Sequence, residues 1–210
     1  SSRCSMAKIL ACHFLQADML PYMGHESKPW AVGETRTVTG RLALCSRGYH
    51  YSPTWAAALK GQYLYGPMAC IVEVDDDGPK DESKGCSRTR TLVEAFNVER
   101  ELRLYAADEA SRCLKAWEKR SGKVADIRSW AAVKAARAFA DGKITRGELA
   151  AAQSAAWSAA ARSAAESAAR WSAESAAWWS AESAARSASA ARFAVVMGKA
   201  TGWFDVEVTP

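Results

Sequence analysis

The segment that decides the fold runs from Leu149 to Met197 and reads LAAAQSAAWSAAARSAAESAARWSAESAAWWSAESAARSASAARFAVVM. Ala is the strongest helix former, Ser is a moderate one, and neither Gly nor Pro interrupts the segment. This composition predicts a long helix, or a helical hairpin or bundle built from it. An unbroken helix would be roughly 75 Å long, since each residue adds about 1.5 Å.

The long helix carries an aromatic stripe on one face. At about 100° per residue, a single stripe contains Trp157, Trp171, Trp178, Trp179 and Phe193. Leaving so much aromatic surface in water would forgo roughly 8–12 kcal/mol, so we expect the stripe to be covered. Either the helix bends back on its own chain, or a second copy covers it in an antiparallel, coiled-coil-like dimer.

The same segment is the predicted interaction surface. Its cations are Arg162, Arg170 and Arg186. The arginines alternate with Glu at helical spacing and lie mostly away from the Trp stripe, so nucleic acid and membrane surfaces are not favoured as partners. A protein partner, which includes a second copy of the chain, is favoured.

Composition indicates a soluble protein of one or two domains, with 210 residues, 49% hydrophobic and 24% charged, and a net charge of +5. We predict an α+β fold in which a small mixed or antiparallel sheet precedes the helices and a C-terminal strand rejoins the sheet. The predicted domains are 6–105, 106–198 and 199–210. No membrane-spanning run is present. Six scattered cysteines without a C-x-x-C pair predict reduced thiols in a cytosol, and the three histidines predict no metal site.

Hydrophobic alternation and helix signals locate the individual elements. The predicted strands are 7–15, 35–45, 69–75, 88–96 and 203–208, and 100–105 is either a further strand or the start of a helix. Cys45 and Cys70 are predicted to be small buried hydrophobes in their strands. The acidic turn at 75–77 is predicted to be solvated rather than to bind calcium.

Capping signals predict four helices. Ser52 is the expected N-cap of a short helix over 55–59, with Pro53 at its first position. Asp108 and Asp126 are expected to cap helices that end at Gly122 and Gly142. A capping box from Thr145 to Glu148 is expected to start the long helix.

His50 is the most distinctive candidate for chemistry. It lies between Tyr49 and Tyr51, follows Gly48, and precedes a helix N-terminus that could hold an anion. The alternative is that His50 packs on the sheet. The motif residues are Gly48, Tyr49, His50 and Ser52. The chain contains no Walker loop, dinucleotide fingerprint, Ser-His-Asp order or metal signature.

The first half of the chain resembles a family of domains of unknown function common in phage and prophage proteins. The matching residues are Gly33-Glu-Thr-Arg-Thr-Val38-Thr-Gly40, Leu44-Cys45-Ser-Arg-Gly48-Tyr49-His50, and Val72-Glu73-Val74. Several members of that family also carry Ala/Ser-rich repeats after the domain. The resemblance implies a phage or prophage setting and no particular activity.

A second resemblance is to ADP-ribosyltransferases, and it involves His13 in Ala-Cys-His-Phe and the segment from Gly48 to Ser52. No Gly-Ser pair follows His13. The resemblance implies NAD as cofactor, with His13 and Tyr49 or Tyr51 holding the nicotinamide ribose. Glu73 or Glu94 would stabilise the developing cation.

Two functions are therefore expected from the sequence. The first is a non-catalytic, cofactor-free accessory protein of a phage or prophage that acts through protein–protein contacts, including inhibition of a host defence. The alternative is an NAD-using enzyme of the ADP-ribosyltransferase type.

Overall fold

The computed structural model describes residues 8–23, 26–167 and 189–205, and within 159–167 it describes the backbone alone. The chain forms two compact units. The sheet unit contains the described residues up to Glu99 and those from Ala190 onward, and the helical unit contains those from Arg100 to Ser189. Helices and antiparallel sheets occur together, which confirms the predicted α+β class.

The described residues of the sheet unit form six strands. They are β1 (Ile9–Leu15), β2 (Thr35–Thr37), β3 (Tyr49–Tyr51), β4 (Met68–Val74), β5 (Gly85–Ser87) and β6 (Thr89–Asn97). A four-stranded antiparallel sheet has the order β1-β4-β6-β2, and β3 pairs with β5 in a separate two-stranded sheet. Strand β4 lies between β1 and β6 and is mostly buried, and it coincides with the clearest predicted strand, 69–75.

One face of the large sheet carries the hydrophobic core. The alternate residues Cys70, Val72 and Val74 of β4 are buried there together with Ala11 and Leu15 of β1. Residues directly opposite in an antiparallel pair share a face, so His13, opposite Cys70, and Arg90, opposite Val74, belong to the same face. This register brings the His13 and Arg90 side chains to one side of the sheet.

The strand predicted for 35–45 is wrong beyond its first residues. Only Thr35–Thr37 pair as a strand. Gly40 and Cys45 have positive φ angles of 90° and 61°, and these conformations turn the chain out of an extended path. Cys45 is therefore exposed rather than buried, whereas Cys70 is buried as predicted.

The short helix α1 (Trp55–Lys60) covers the predicted 55–59, but its N-cap differs from the prediction. Thr54, not Ser52, is its N-cap, and the Thr54 hydroxyl accepts a hydrogen bond from Ala57 N at 3.0 Å. Ser52 is occupied elsewhere, since its backbone N–H and C=O pair with those of Cys12. The motif residue Ser52 thus joins β1 to the end of β3.

The predicted C-terminal strand is not present over Trp203–Asp205, and 206–208 lie outside the described residues. Trp203 instead packs edge-on against Trp55, with ring centroids 5.3 Å apart. Asp205 accepts hydrogen bonds from the first backbone N–H groups of α1. Capping and aromatic packing therefore take the place of strand pairing in this segment.

Helices α2 (Glu99–Ser121), α3 (Ile127–Ala140) and α4 (Arg146–Ser167) supply the helical unit, and residues 189–201 are also helical. The helix start predicted at Asp108 is wrong, because α2 already begins at Glu99. The Glu99 N–H donates a hydrogen bond to the Asn97 side chain at 3.1 Å. The Asp126 cap of α3 is confirmed. Helices α3 and α4 pack against each other.

The aromatic stripe is only partly described. Phe193 is fully buried, as predicted. Trp157 is 78% exposed, so the described residues of this chain do not cover it; the burial on α3 and α4 falls on Val133 and Leu149 instead. The remaining members of the predicted surface lie outside the described side chains: Trp171, Trp178, Trp179, Arg162, Arg170 and Arg186.

Among the described residues, no helix has the length and apolar character needed to cross a membrane.

Candidate functional site

A cavity of about 390 Å³ lies within the sheet unit. This volume falls in the range of about 300–1,000 Å³ that is typical of small-molecule sites. Its aromatic walls are Tyr22, Tyr49, Tyr51, Tyr63 and Tyr65, and its ionisable side chains include His13, Glu26, His50, Lys84 and Arg90. Tyr22 and Met23 are more than half exposed, so they form the side of the cavity that opens to solvent.

Backbone pairing between distant segments brings His13 and Tyr51 together. Cys12 N donates to Ser52 O at 2.9 Å, and Ser52 N donates to Cys12 O at 2.8 Å. His13 and Tyr51 are the next residues on either side of this isolated antiparallel bridge, so they lie at adjoining positions of β1 and β3. Both side chains line the cavity. Two residues of the sequence-predicted catalytic set are therefore neighbours.

The imidazole of His13 has an unused polar atom. Its Nε2 is buried and forms no hydrogen bond with any described group. Burial lowers the pKa of His13 well below its ordinary value, and the nearby cationic groups Arg90 and His50 lower it further. His13 is therefore a neutral imidazole at neutral pH, and one of its ring nitrogens is left for a ligand because a buried polar group without a partner is costly.

Arg90 is a buried cation at the cavity wall, 3% exposed. Its guanidinium lies 4.4 Å from the ring centroid of Trp30 and 4.9 Å from that of Tyr49. Nη1 donates to His50 O at 3.1 Å. Burial lowers the pKa of Arg90 to about 10, and among the described carboxylates none forms an ion pair with it. Sequence analysis missed Arg90 because nothing in its local pattern distinguishes it from an exposed strand residue.

Glu26 is the carboxylate of this cavity. It accepts a hydrogen bond from Trp30 Nε1 at 2.9 Å, and its other oxygen lies 3.5 Å from Arg36. The sequence candidates Glu73 and Glu94 do not line the cavity: Glu73 pairs with Lys8 at 2.7 Å, and Glu94 is exposed on β6. Glu26 lies in a loop between Pro21 and Pro29 that carries no motif, so no sequence signal points to it.

His50 has a defined tautomer. Its Nε2 accepts a hydrogen bond from Cys45 N at 2.9 Å, which places the proton of the neutral ring on Nδ1. Burial lowers the pKa of His50, and Lys84 and Arg90 add to the effect. His50 also lines the cavity.

Tyr51 is anchored by the acidic turn. Its hydroxyl donates to Asp76, and burial followed by this hydrogen bond raises the pKa of Tyr51. Asp77 accepts hydrogen bonds from the Ser87 hydroxyl and Arg88 N. The prediction that the acidic turn is merely solvated is therefore wrong, since two of its carboxylates hold β3, β5 and their neighbours in place.

Gly48 has a steric role in the motif. Its φ of 123° is unfavourable for any residue with a side chain. A Cβ at this position would lie 2.2 Å from Cys86 Sγ and 3.2 Å from Ser87 O. The motif glycine therefore allows β5 to approach the start of β3.

Lys84 and Cys45 meet at the edge of the cavity. Lys84 Nζ lies 2.8 Å from Cys45 Sγ and 5.0 Å from the ring centroid of Tyr63. The contact with Cys45 is the main cause of the raised pKa of Lys84. Lys84 thus adds a further cation to a site that already contains Arg90.

Within the described part of the chain, no cluster of three or more His, Cys, Asp or Glu side chains is arranged to hold a metal ion. No protein-family model matches the chain, and neither a curated protein nor a solved structure is significantly similar to it. The function proposed below is therefore based on the residues and geometry of the cavity.

Proposed function

We propose that the sheet unit binds NAD in this cavity and acts as an enzyme of the ADP-ribosyltransferase type. One observation carries the proposal: His13, with its buried and unpartnered Nε2, and Tyr51 are neighbours on adjoining strands and line the same cavity. The sequence resemblance assigns His13 and Tyr49 or Tyr51 to the nicotinamide ribose.

The residues of the cavity fit such a ligand. The unpartnered Nε2 of His13 can bond a ribose hydroxyl, and Tyr49 and Tyr51 offer aromatic surface to a planar nicotinamide ring. NAD supplies a glycosidic bond to nicotinamide, whose cleavage generates positive charge on the ribose. Glu26, rather than Glu73 or Glu94, is the carboxylate in place to stabilise that charge.

The test measures release of nicotinamide from NAD and transfer of labelled ADP-ribose to protein, using the full chain. We expect Glu26→Gln to lower nicotinamide release at least tenfold, because it removes the negative charge from the cavity. Glu94→Gln is the matched control, since Glu94 is exposed on β6, outside the cavity, and should leave the rate unchanged. Absence of any NAD binding or release, or a loss seen with Glu94→Gln and not with Glu26→Gln, would overturn the proposal.

The second candidate function belongs to the helical unit. We propose that its exposed aromatic surface binds protein, as expected for an accessory protein of a phage or prophage in the bacterial cytoplasm. Trp157, 78% exposed on α4, supports this proposal, because a large aromatic side chain in water is what a partner would cover. The partner is a second copy of the chain or a host or phage protein, and inhibition of a host defence is one activity of this kind.

Self-association is the first form of this proposal to test. Light scattering at micromolar concentration should give the mass of a dimer, and Trp157→Ala should shift the protein towards the monomer. Trp117→Ala, on α2, is the control because Trp117 is 37% exposed and is not on the predicted stripe. A monomer at all concentrations, or a dimer that is insensitive to Trp157→Ala, would rule out the homodimer.

A further inference from the structure

We infer that the cavity binds a planar ligand bearing an oxyanion, a carboxylate or a phosphate, and that this group lies against Arg90. The inference rests on the cavity of the proposed function but does not depend on NAD being cleaved there. It assigns a ligand class to the site and a binding role to a residue that neither sequence resemblance includes.

The fold brings Arg90 and His13 to one cavity. Arg90 of β6 and His13 of β1 lie on the same face of the large sheet, because each is opposite an alternate residue of β4, Val74 and Cys70 respectively. Both line the cavity, together with the neutral imidazole of His50 and a second cation, Lys84. The described lining residues therefore include two cations, Arg90 and Lys84, and one carboxylate, Glu26.

The charge of Arg90 is incompletely compensated. A buried cation loses its hydration, and an ion pair or several hydrogen bonds are needed to offset the loss. The described residues supply one hydrogen bond, from Nη1 to His50 O, although a guanidinium has five N–H donors. Glu26, the carboxylate of the cavity, is near enough for its charge to raise the pKa of Arg90, but it forms no ion pair with Arg90, and its direct contacts are with Trp30 and Arg36. Donors on Arg90 therefore remain for a ligand.

The rings around Arg90 favour a planar oxyanion. Trp30 and Tyr49 both contact its guanidinium, so the plane of the group is held in a defined orientation. A fixed guanidinium presents paired N–H donors in the geometry that suits carboxylate and phosphate oxygens. Further along the wall, Tyr22 and Tyr65 are stacked with centroids 5.3 Å apart and offer flat surface to the ring of the ligand.

Nicotinate and nicotinamide provide a direct test, because the two molecules have nearly the same shape and differ in the negative charge. Calorimetric titration of the full chain should show at least tenfold tighter binding of nicotinate. Arg90→Met should abolish the preference while retaining an apolar stem between the rings. Arg41→Met removes the same charge from an exposed position outside the cavity and should keep the preference.

A second arm uses inorganic phosphate and identifies the class of oxyanion. Saturable binding of phosphate alone assigns the site to phosphate esters, and binding of nicotinate alone assigns it to carboxylates. In either case the pKa of His13, measured by NMR of its ring nitrogens, should be higher in the complex than in the free protein, because the bound anion stabilises the imidazolium.

The wild-type titrations decide the inference even when Arg90→Met does not fold. Equal affinities for nicotinate and nicotinamide, with no phosphate binding, would overturn it, as would a preference that survives in folded Arg90→Met. This outcome can be distinguished from that of the proposed function. A preference for nicotinate without release of nicotinamide from NAD would overturn the proposed enzyme activity and support the oxyanion site. Release of nicotinamide without the preference would support the enzyme activity and overturn the oxyanion site.

Discussion

The carboxylate of Asp205 accepts a hydrogen bond from the backbone N–H of Trp55 at 2.8 Å, across 150 positions of the chain. Its second oxygen accepts from Ala56 N at 3.2 Å. The N–H groups of a first helical turn have no partner within the helix, and a negative charge there is favoured by the helix dipole. This one side chain therefore joins the C-terminal segment to helix α1 and completes the sheet unit.

Asp205→Ala should lower the free energy of unfolding by about 1 kcal/mol, because it removes the acceptor for two helix N–H groups. Asp205→Asn keeps one acceptor oxygen and should lose less. Urea unfolding followed by Trp fluorescence measures the difference. An unchanged midpoint for Asp205→Ala would show that water replaces the carboxylate without cost.

Gly48→Ala should destabilise the sheet unit by about 1–3 kcal/mol or more, because strain from the positive φ adds to the clash with Cys86. Gly33→Ala is the matched control. Gly33 also has a positive φ, of 85°, but nothing lies within 4 Å of the added Cβ. Thermal unfolding of both variants separates the two contributions, and equal losses would show that contact with Cys86 contributes nothing.

Acidification should destabilise the protein in a window that begins at about pH 6.5 and extends downwards. The folded pKa values of His13 and His50 are both lowered, so in this window the unfolded chain binds more protons than the native chain. The stability that is present above the unfolded pKa is therefore lost as the pH falls. His13→Gln should make the free energy of unfolding less dependent on pH. Urea midpoints at several pH values measure this dependence, and a variant with the same pH dependence as the wild type would contradict the role given to His13.

Thr145→Ala should destabilise the start of α4 by about 1 kcal/mol. Thr145 Oγ1 accepts from Glu148 N at 3.3 Å, and Glu148 Oε2 accepts from Thr145 N at 2.7 Å, so the two residues cap the helix reciprocally. Amide hydrogen exchange of the first turn of α4 should accelerate several-fold. Thr145→Ser is the control because Ser retains the hydroxyl. If hydrogen exchange were accelerated equally in Thr145→Ser and Thr145→Ala, the capping role of the hydroxyl would be contradicted.

Local patterns predicted those parts of the fold whose causes lie within a few residues. The central strand, the Asp126 cap and the Thr145–Glu148 capping box are of this kind, and the structure confirms all three. The failures occurred where distant groups compete for the same backbone. The residues around Ser52 predict that it is a helix N-cap. Its backbone is instead paired with Cys12, and Thr54 is the N-cap.

The candidate site was predictable only in part. His13 and Tyr51 were identified from their motifs, whereas Glu26 and Arg90 were not, because a lone Glu in a loop and a lone Arg in a strand have no distinguishing pattern. Their importance comes from where they lie: Glu26 against Trp30 and Arg36, and Arg90 between two rings.

The sequence by itself determined the α+β class, the helices at both described ends of the Ala/Ser-rich segment, and the Asp126 and Thr145–Glu148 caps, since propensity and capping act over one or two turns. Only the tertiary structure decided that His13, Tyr51 and Arg90 line one cavity. Their contact depends on the register of strands joined by long connections, and that register is set by burial of one sheet face and by backbone pairing rather than by any residue's immediate neighbours.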